Sequence, residues 1–252
     1  MTEEKNIIPK IIHYCWLSDD PYPDLIQKCL DSWKEKLVDY ELCRWDIETS
    51  PKVPWISEAY ESKKYAFAAD YVRFYALYHV GGIYLDADVE VFKSFDSLLV
   101  NRSFIGYDYV GDIEAAVIGA EKGTEWVKNC LDAYKDRSFL AEIQHLNMST
   151  VPLLIGKVFE ERFNIANNNR GTPHSNDEIA VFPFYYFSPK SIFSKSYDIK
   201  EETVCVHHFE GKWVEKTPLL TIKYLIHRSV ILVFGQQGHN ILIKMVRKWR
   251  TK

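Results

Sequence analysis

The chain has 252 residues, 47% of them hydrophobic and 15% aromatic, which excludes a disordered segment and a small disulfide-stapled scaffold. Its formal charge of −4 is unevenly spread: Leu219 to Lys252 holds seven Lys and Arg and no Asp or Glu, so residues 1–218 carry −11. An acidic body argues against nucleic acid as a partner, because a nucleic-acid binder normally carries its basic patch on the folded module. The expectation is one large domain over residues 1–218 with a basic tail over 219–252.

Five cysteines (Cys15, Cys29, Cys43, Cys130, Cys205) are widely spaced, with no C-x-x-C pair, a pattern of buried free thiols in a reducing compartment. The opening Met-Thr-Glu-Glu-Lys is acidic and lacks the apolar stretch of a signal peptide. In the tail, the apolar run Val230 to Phe234 is far too short to span a bilayer. These features point to the cytoplasm.

In chain order, Ile7 to Trp16 predicts a buried strand, closed by the turn residues Ser18-Asp19-Asp20-Pro21. Asp24 to Lys36 has the spacing of a helix, with Leu25, Ile26, Cys29, Leu30 and Trp33 apolar, and a second strand follows at Tyr40–Trp45. Ala66 to Val80 reads as a helix stopped by Gly81-Gly82, since glycine accepts the left-handed conformation at a helix end. Ile83 to Val91 then alternates as one strand: Ile83, Leu85, Ala87, Val89 and Val91 face one side, Tyr84, Asp86, Asp88 and Glu90 the other. Asn167 to Asp177 is the best loop candidate. Strands alternating with helices predict an α/β fold with a mostly parallel central sheet flanked by helices.

A tight reversal at Gly81-Gly82 lays helix and strand side by side. At about 3.3 Å per strand residue, Asp86 and Asp88 lie roughly 16–23 Å from the turn. At about 1.5 Å per helix residue, Arg73 and Asp70 lie roughly 12–16 Å from it. Four charged residues are thus expected at nearly one level. Two carboxylates on one strand face repel unless a cation or proton intervenes, and an all-oxygen pair suits Mg2+ or Mn2+. Alone, a D-x-D pair reads first as a solvated strand face, and Asp70–Arg73 as an ordinary helix-surface ion pair.

Ala69-Asp70-Tyr71-Val72-Arg73, followed by Gly81-Gly82-Ile83-Tyr84-Leu85-Asp86-Ala87-Asp88, resembles the signature of the DXD sugar-transferase family. That family includes bacterial capsular-polysaccharide glycosyltransferases and fungal initiating α-1,6-mannosyltransferases, with the glucosylating clostridial toxins more distant. The opening Ile-Pro-Lys-Ile-Ile-His13-Tyr14-Cys15-Trp16 and the later His207-His208-Phe209-Glu210-Gly211-Lys212-Trp213 are similar to its outer blocks. Lys212 departs from the family pattern, which has Ser there.

The resemblance implies a GT-A type nucleotide-sugar-binding fold, a divalent metal (Mn2+ or Mg2+) and transfer with retention of configuration. It implies that Asp88 ligates the metal and that Asp86 contacts the sugar, the ribose or a metal-bound water. Asp70 and Arg73 would hold sugar hydroxyls, Tyr84 would line the diphosphate side, and Trp16 would stack on the base or simply pack in the core. His208 is a candidate third metal ligand and Lys212 a candidate phosphate contact, while His207 reads as structural. Asp108, Asp112 and Glu114 sit in a segment that could face an acceptor or simply be solvated. Met148 to Pro152 takes the place of a family T-G-P turn without its Gly. The expected activity is transfer of a hexose from UDP-Gal or UDP-Glc to a glycan or lipid-linked acceptor. A carbohydrate-binding protein without catalysis is the alternative.

In the tail, Ile241, Leu242, Met245 and Trp249 share one helical face, with Lys244, Arg247 and Lys248 turned away. Basic amphipathic helices of this kind lie on anionic membranes, here the inner face of the plasma membrane, though docking on the body or on a second copy fits as well.

Overall fold

The computed structural model describes residues 6–109, 111–144, 150–165, 174–192 and 194–210, with Ser229, Val230, Val233, Phe234 and Gly238 of the tail. The first strand, β1 (Ile11–Cys15), is shorter than the apolar run suggests. Both Ile7 and Ile8 donate their N–H groups to the Leu99 carbonyl, and Pro9 has none to give, so pairing in the sheet begins only at Ile11. Helix α1 (Asp24–Lys36) keeps the predicted bounds and buries Ile26, Cys29, Leu30 and Trp33, the i, i+3, i+4, i+7 stripe of an amphipathic helix. Strand β2 (Glu41–Trp45) pairs parallel with β1.

Helix α2 (Pro54–Glu61) and helix α3 (Tyr65–His79) come next, and α3 reverses through Gly81 (φ +79°) and Gly82 (φ +114°) into β3 (Gly82–Leu85). A side chain at Gly82 would put its Cβ 2.6 Å from the Ile11 carbonyl oxygen, so the close approach of β3 to β1 requires glycine. His13 fastens the same turn. Its Nδ1 accepts the Trp45 indole N–H at 3.2 Å, leaving Nε2 to donate to the Gly81 carbonyl at 2.8 Å. Burial holds the His13 imidazole below its ordinary pKa, consistent with that neutral form.

The remaining elements are β4 (Val89–Val91), β5 (Ser103–Tyr107), β6 (Ile113–Ala120), α4 (Glu125–Asp132), α5 (Phe139–Gln144), α6 (Val151–Phe163), β7 (His174–Ser175), β8 (Ala180–Phe182), α7 (Phe184–Phe187) and β9 (Cys205–His207). Seven strands form one sheet in the order β2-β1-β3-β6-β5-β8-β7. Five of them run the same way, as the α/β reading expects; β6 and β7 run against them. All eight residues of β6 are buried, and its small side chains let neighbours close in: a Cβ on Gly119 would lie 2.1 Å from the Phe104 ring. Tyr84, Ile118 and Ala120 face a layer that includes Trp55, Val72, Trp126 and Phe159 from the helices. On the other face Ile83, Leu85 and Val117 meet Ile26, Leu30, Trp33 and Phe104. Each such fully buried large apolar side chain contributes about 1.5–3 kcal/mol.

The single strand predicted over Ile83–Val91 is broken. After Leu85 the chain turns through Asp86-Ala87-Asp88, with Val89 N–H donating to the Asp86 carbonyl at 3.0 Å, and β4 leaves to pair antiparallel with β9. Helix α1 holds β4 in its new direction: Trp33 donates its indole N–H to the Val89 carbonyl, and Ser32 Oγ accepts the Val91 N–H. Leu85 and Val89 are four residues apart, an even step, so Ile83, Leu85, Val89 and Val91 still share one apolar layer. Among the described residues no helix is long and apolar enough to cross a membrane.

Candidate active site

At the C-terminal end of β3, side chains from four segments converge. Helix α3 presents Asp70 and Arg73 one turn apart, the β3–β4 turn presents Asp86 and Asp88, β6 opens on Glu114, and β9 ends on His207. Arg73 donates from Nη2 to Asp86 Oδ1 at 2.8 Å, and its Nη1 lies 3.5 Å from Asp70 Oδ1. The guanidinium stacks over the Tyr84 ring at 4.7 Å from its centroid. Helix and strand thus meet at one level, as the rise arithmetic required.

Burial sets the electrostatics. It pushes the Asp70 carboxyl up to about 7; Arg73 opposes this and the Asp86 charge adds to it. Asp86 is likewise raised by burial against the pull of Arg73 and His207. Asp88 goes the other way: burial would raise it, but the His207 charge and hydrogen bonds from His207 and the Glu210 N–H bring it down to about 2. That last bond is 2.8 Å long and ties the segment after β9 to the D-A-D turn. Burial disfavours the charged form of His207, yet the Asp88 and Glu114 carboxylates outweigh it and raise the imidazole well above its ordinary value.

Asp86, Asp88 and His207 each offer a ligand atom within 4.8 Å of one another. Two carboxylate oxygens and an imidazole nitrogen suit Mn2+ and similar divalent ions. The ring of His207 is buried, with Nε2 3.3 Å from Asp88 Oδ1 and Nδ1 lacking a hydrogen-bond partner. These residues fit a cation site.

The histidine beside the aspartates is His207, not the His208 favoured from the spacing. His208 bonds Glu90 instead, Nε2 to Oε2 at 2.9 Å, and Glu90 is also paired with Lys28. A one-residue step along a strand turns the side chain to the other face, and the pairing of β9 with β4 decides which imidazole points to Asp88. Tyr84 does not line an open diphosphate face: it is 1% exposed and lies beneath Arg73. Trp16 is half-buried after β1, its ring 4.9 Å from Tyr22 and its indole N–H donated to the Asp20 carbonyl. Lys212 and the tail helix expected over 241–249 lie outside the described residues.

Asp108 and Asp112 belong to the β5–β6 turn, where Asp108 Oδ1 accepts the Asp112 N–H. Met148 and Ser149 lie outside the described residues, while Thr150 precedes α6 and Pro152 sits in its first turn. Glu114 is a further residue of the site that no motif marks. Its signal was there: a lone carboxylate in the otherwise apolar Ile-Glu-Ala-Ala-Val-Ile-Gly-Ala strand. Lys190, which donates to the His208 carbonyl at 2.7 Å, carried no such signal.

Residues 23–105, which hold both the Asp70–Arg73 pair and the D-A-D turn, match the family model "Glycosyltransferase sugar-binding region containing DXD motif". Over that stretch, a third of the chain, it is similar to DXD-containing glycosyltransferases. It is 29% identical over 160 residues to inositol phosphoceramide mannosyltransferase 3 of Schizosaccharomyces pombe, covering 60% of this chain and 45% of that protein. It is 27% identical over 175 residues to the mannosyl phosphorylinositol ceramide synthase SUR1 of Saccharomyces cerevisiae, covering 64% and 45%. The matched part therefore spans less than half the length of these fungal relatives. Among solved structures, the PaToxG glycosyltransferase aligns with 62% of this chain and 70% of its own at a TM-score of 0.48 and 16% identity. A glycosyltransferase involved in glycosylation of the major capsid of PBCV-1 aligns with 79% and 93% at 0.45 and 13%.

Proposed function

We propose that this chain is a glycosyltransferase of GT-A type that moves a hexose from a nucleotide diphosphate sugar to a hydroxyl of a glycan or glycolipid. The observation that carries the reading is the convergence of Asp70, Arg73, Asp86, Asp88 and His207 at one end of the sheet, inside and beside the matched sugar-binding region. In this reading Asp86, Asp88 and His207 hold a divalent cation. Such an ion supplies Lewis-acid stabilisation of a departing diphosphate when bound.

The chain's own residues position the sugar. Arg73, fixed between Asp70 and Asp86 and stacked on Tyr84, holds the Asp86 carboxylate in one orientation. Burial raises the Asp70 carboxyl to about 7, so near neutral pH part of the population carries a proton it can donate to a sugar oxygen. In the transfer the bond from the anomeric carbon to the phosphate oxygen breaks, a bond to the acceptor oxygen forms, and the acceptor's proton ends on the leaving phosphate. The resemblance implies retention of configuration, which the stereochemistry of the product would test.

The relatives' names favour mannose over the glucose or galactose first expected, and an inositol-phosphate-bearing lipid as acceptor. The basic tail over 219–252 would hold the acidic body beside such a lipid; failure to bind anionic vesicles at low salt would refute that part alone. The central test incubates the chain with Mn2+ and a panel of UDP- and GDP-linked hexoses and follows release of nucleoside diphosphate. Turnover that disappears in EDTA and in Asp88→Asn is expected. Full turnover in EDTA would overturn the cation reading, and binding of a donor with no turnover of any would return the chain to a carbohydrate-binding role.

A further inference from the structure

Glu114 is the one charged side chain in β6, and it is 8% exposed. Its Oε1 accepts the Ala116 N–H at 3.0 Å, which anchors the carboxylate to its own strand. The same oxygen lies 3.5 Å from His207 Nδ1, while His207 Nε2, across the ring, is 3.3 Å from Asp88 Oδ1. The Phe209 ring packs on the imidazole with centroids 3.9 Å apart. The ring is therefore held between a carboxylate that belongs to the ligand trio and one that does not.

A neutral imidazole carries one proton, and whichever nitrogen holds it cannot ligate a cation. The buried Nδ1 makes no hydrogen bond in the cation-free site, and the Glu114 carboxylate facing it at 3.5 Å is placed to decide the tautomer. We propose that Glu114 is a positioning residue for the cation site: it accepts the Nδ1–H of His207 and thereby turns the Nε2 lone pair toward Asp86 and Asp88. The inference rests on the reading of those three residues as a cation site. Such outer partners orient a metal-ligating histidine, and their loss costs about 10–100-fold in metal affinity.

The test is Mn2+ affinity, read from the electron paramagnetic resonance of free Mn2+ with the full chain and no sugar present. Glu114→Ala should weaken binding by about 10–100-fold. Glu114→Gln, whose amide oxygen can still accept the Nδ1–H, should lose much less. On a His207→Ala background Glu114→Ala should cost nothing further, because the residue acts only through that ring. Unchanged affinity in Glu114→Ala, or losses that multiply in the double variant, would overturn the proposal. A purely structural role would instead lower the melting temperature without metal and leave Mn2+ affinity intact.

Should Glu114→Ala fail to fold, the unmutated chain loaded with diamagnetic Cd2+ answers the same question. Its histidine ring-nitrogen NMR should show His207 protonated at Nδ1 and metal-bound at Nε2, and the reverse arrangement overturns the proposal. A wild-type chain that binds neither ion would sink the cation reading itself, which a bound ion indifferent to Glu114 would not.

Discussion

Asp70 gives the most quantitative prediction. Burial, with the Asp86 charge adding and Arg73 opposing, raises its carboxyl from the ordinary 3.8 to about 7. The native state therefore holds a proton that the unfolded chain has already released between those values. Stability from this group is fully present below about pH 4 and is lost as pH rises through about 7. The interval between the two values, at about 1.4 kcal/mol per pH unit, sets a ceiling of about 4 kcal/mol. The side chain is 18% exposed, and water at that opening lowers the figure to about 2 kcal/mol. Asn copies the shape of the protonated acid and does not ionise. In EDTA, thermal unfolding followed by circular dichroism should find wild type and Asp70→Asn nearly equal at about pH 4. At about pH 8 the variant should melt higher by roughly 4–8 °C, given about 2–4 °C per kcal/mol for a domain of this size. Parallel melting profiles, or a wild type that gains on the variant as pH rises, would refute the reasoning.

Arg73→Leu removes the cation shared by Asp70 and Asp86 and should cost about 3–5 kcal/mol in urea unfolding; a loss below about 1 kcal/mol would show that the carboxylates do not need it. Gly82→Ala places a side chain at φ +114° and against the Ile11 carbonyl, and should lower stability by about 2 kcal/mol or more by the same measurement; a wild-type midpoint would refute the close approach. His208→Ala breaks only the bond to Glu90 and should leave Mn2+ affinity within about threefold, where His207→Ala should cost more than tenfold. Equal losses in the two variants would return His208 to the ligand set.

Much of the architecture was legible because local periodicity records which side of an element is buried. The stripe of Ile26, Cys29, Leu30 and Trp33 marked α1, and Gly81-Gly82 marked the reversal that sets Arg73 against Asp86. The apolar alternation from Ile83 to Val91 placed Ile83, Leu85, Val89 and Val91 in one buried layer, while Tyr84 on the opposite face is buried as well. It could not show that the ladder ends at Leu85, because that depends on β4 finding β9, more than a hundred residues away, and on Trp33 and Ser32 claiming its backbone. The choice between His207 and His208 turned on the same long-range register.

The acidic body and basic tail, the Asp70–Arg73 and D-A-D pairs, and the level at which they meet were set by the sequence itself, through charge count, helix rise and strand rise. Only the tertiary structure brought Glu114 and His207 to them. His207 lies on β9, whose partner β4 is more than a hundred residues away, and Glu114 on β6, which packs between β5 and β3. Burial there turns a spare histidine into a candidate ligand and a lone carboxylate into its support.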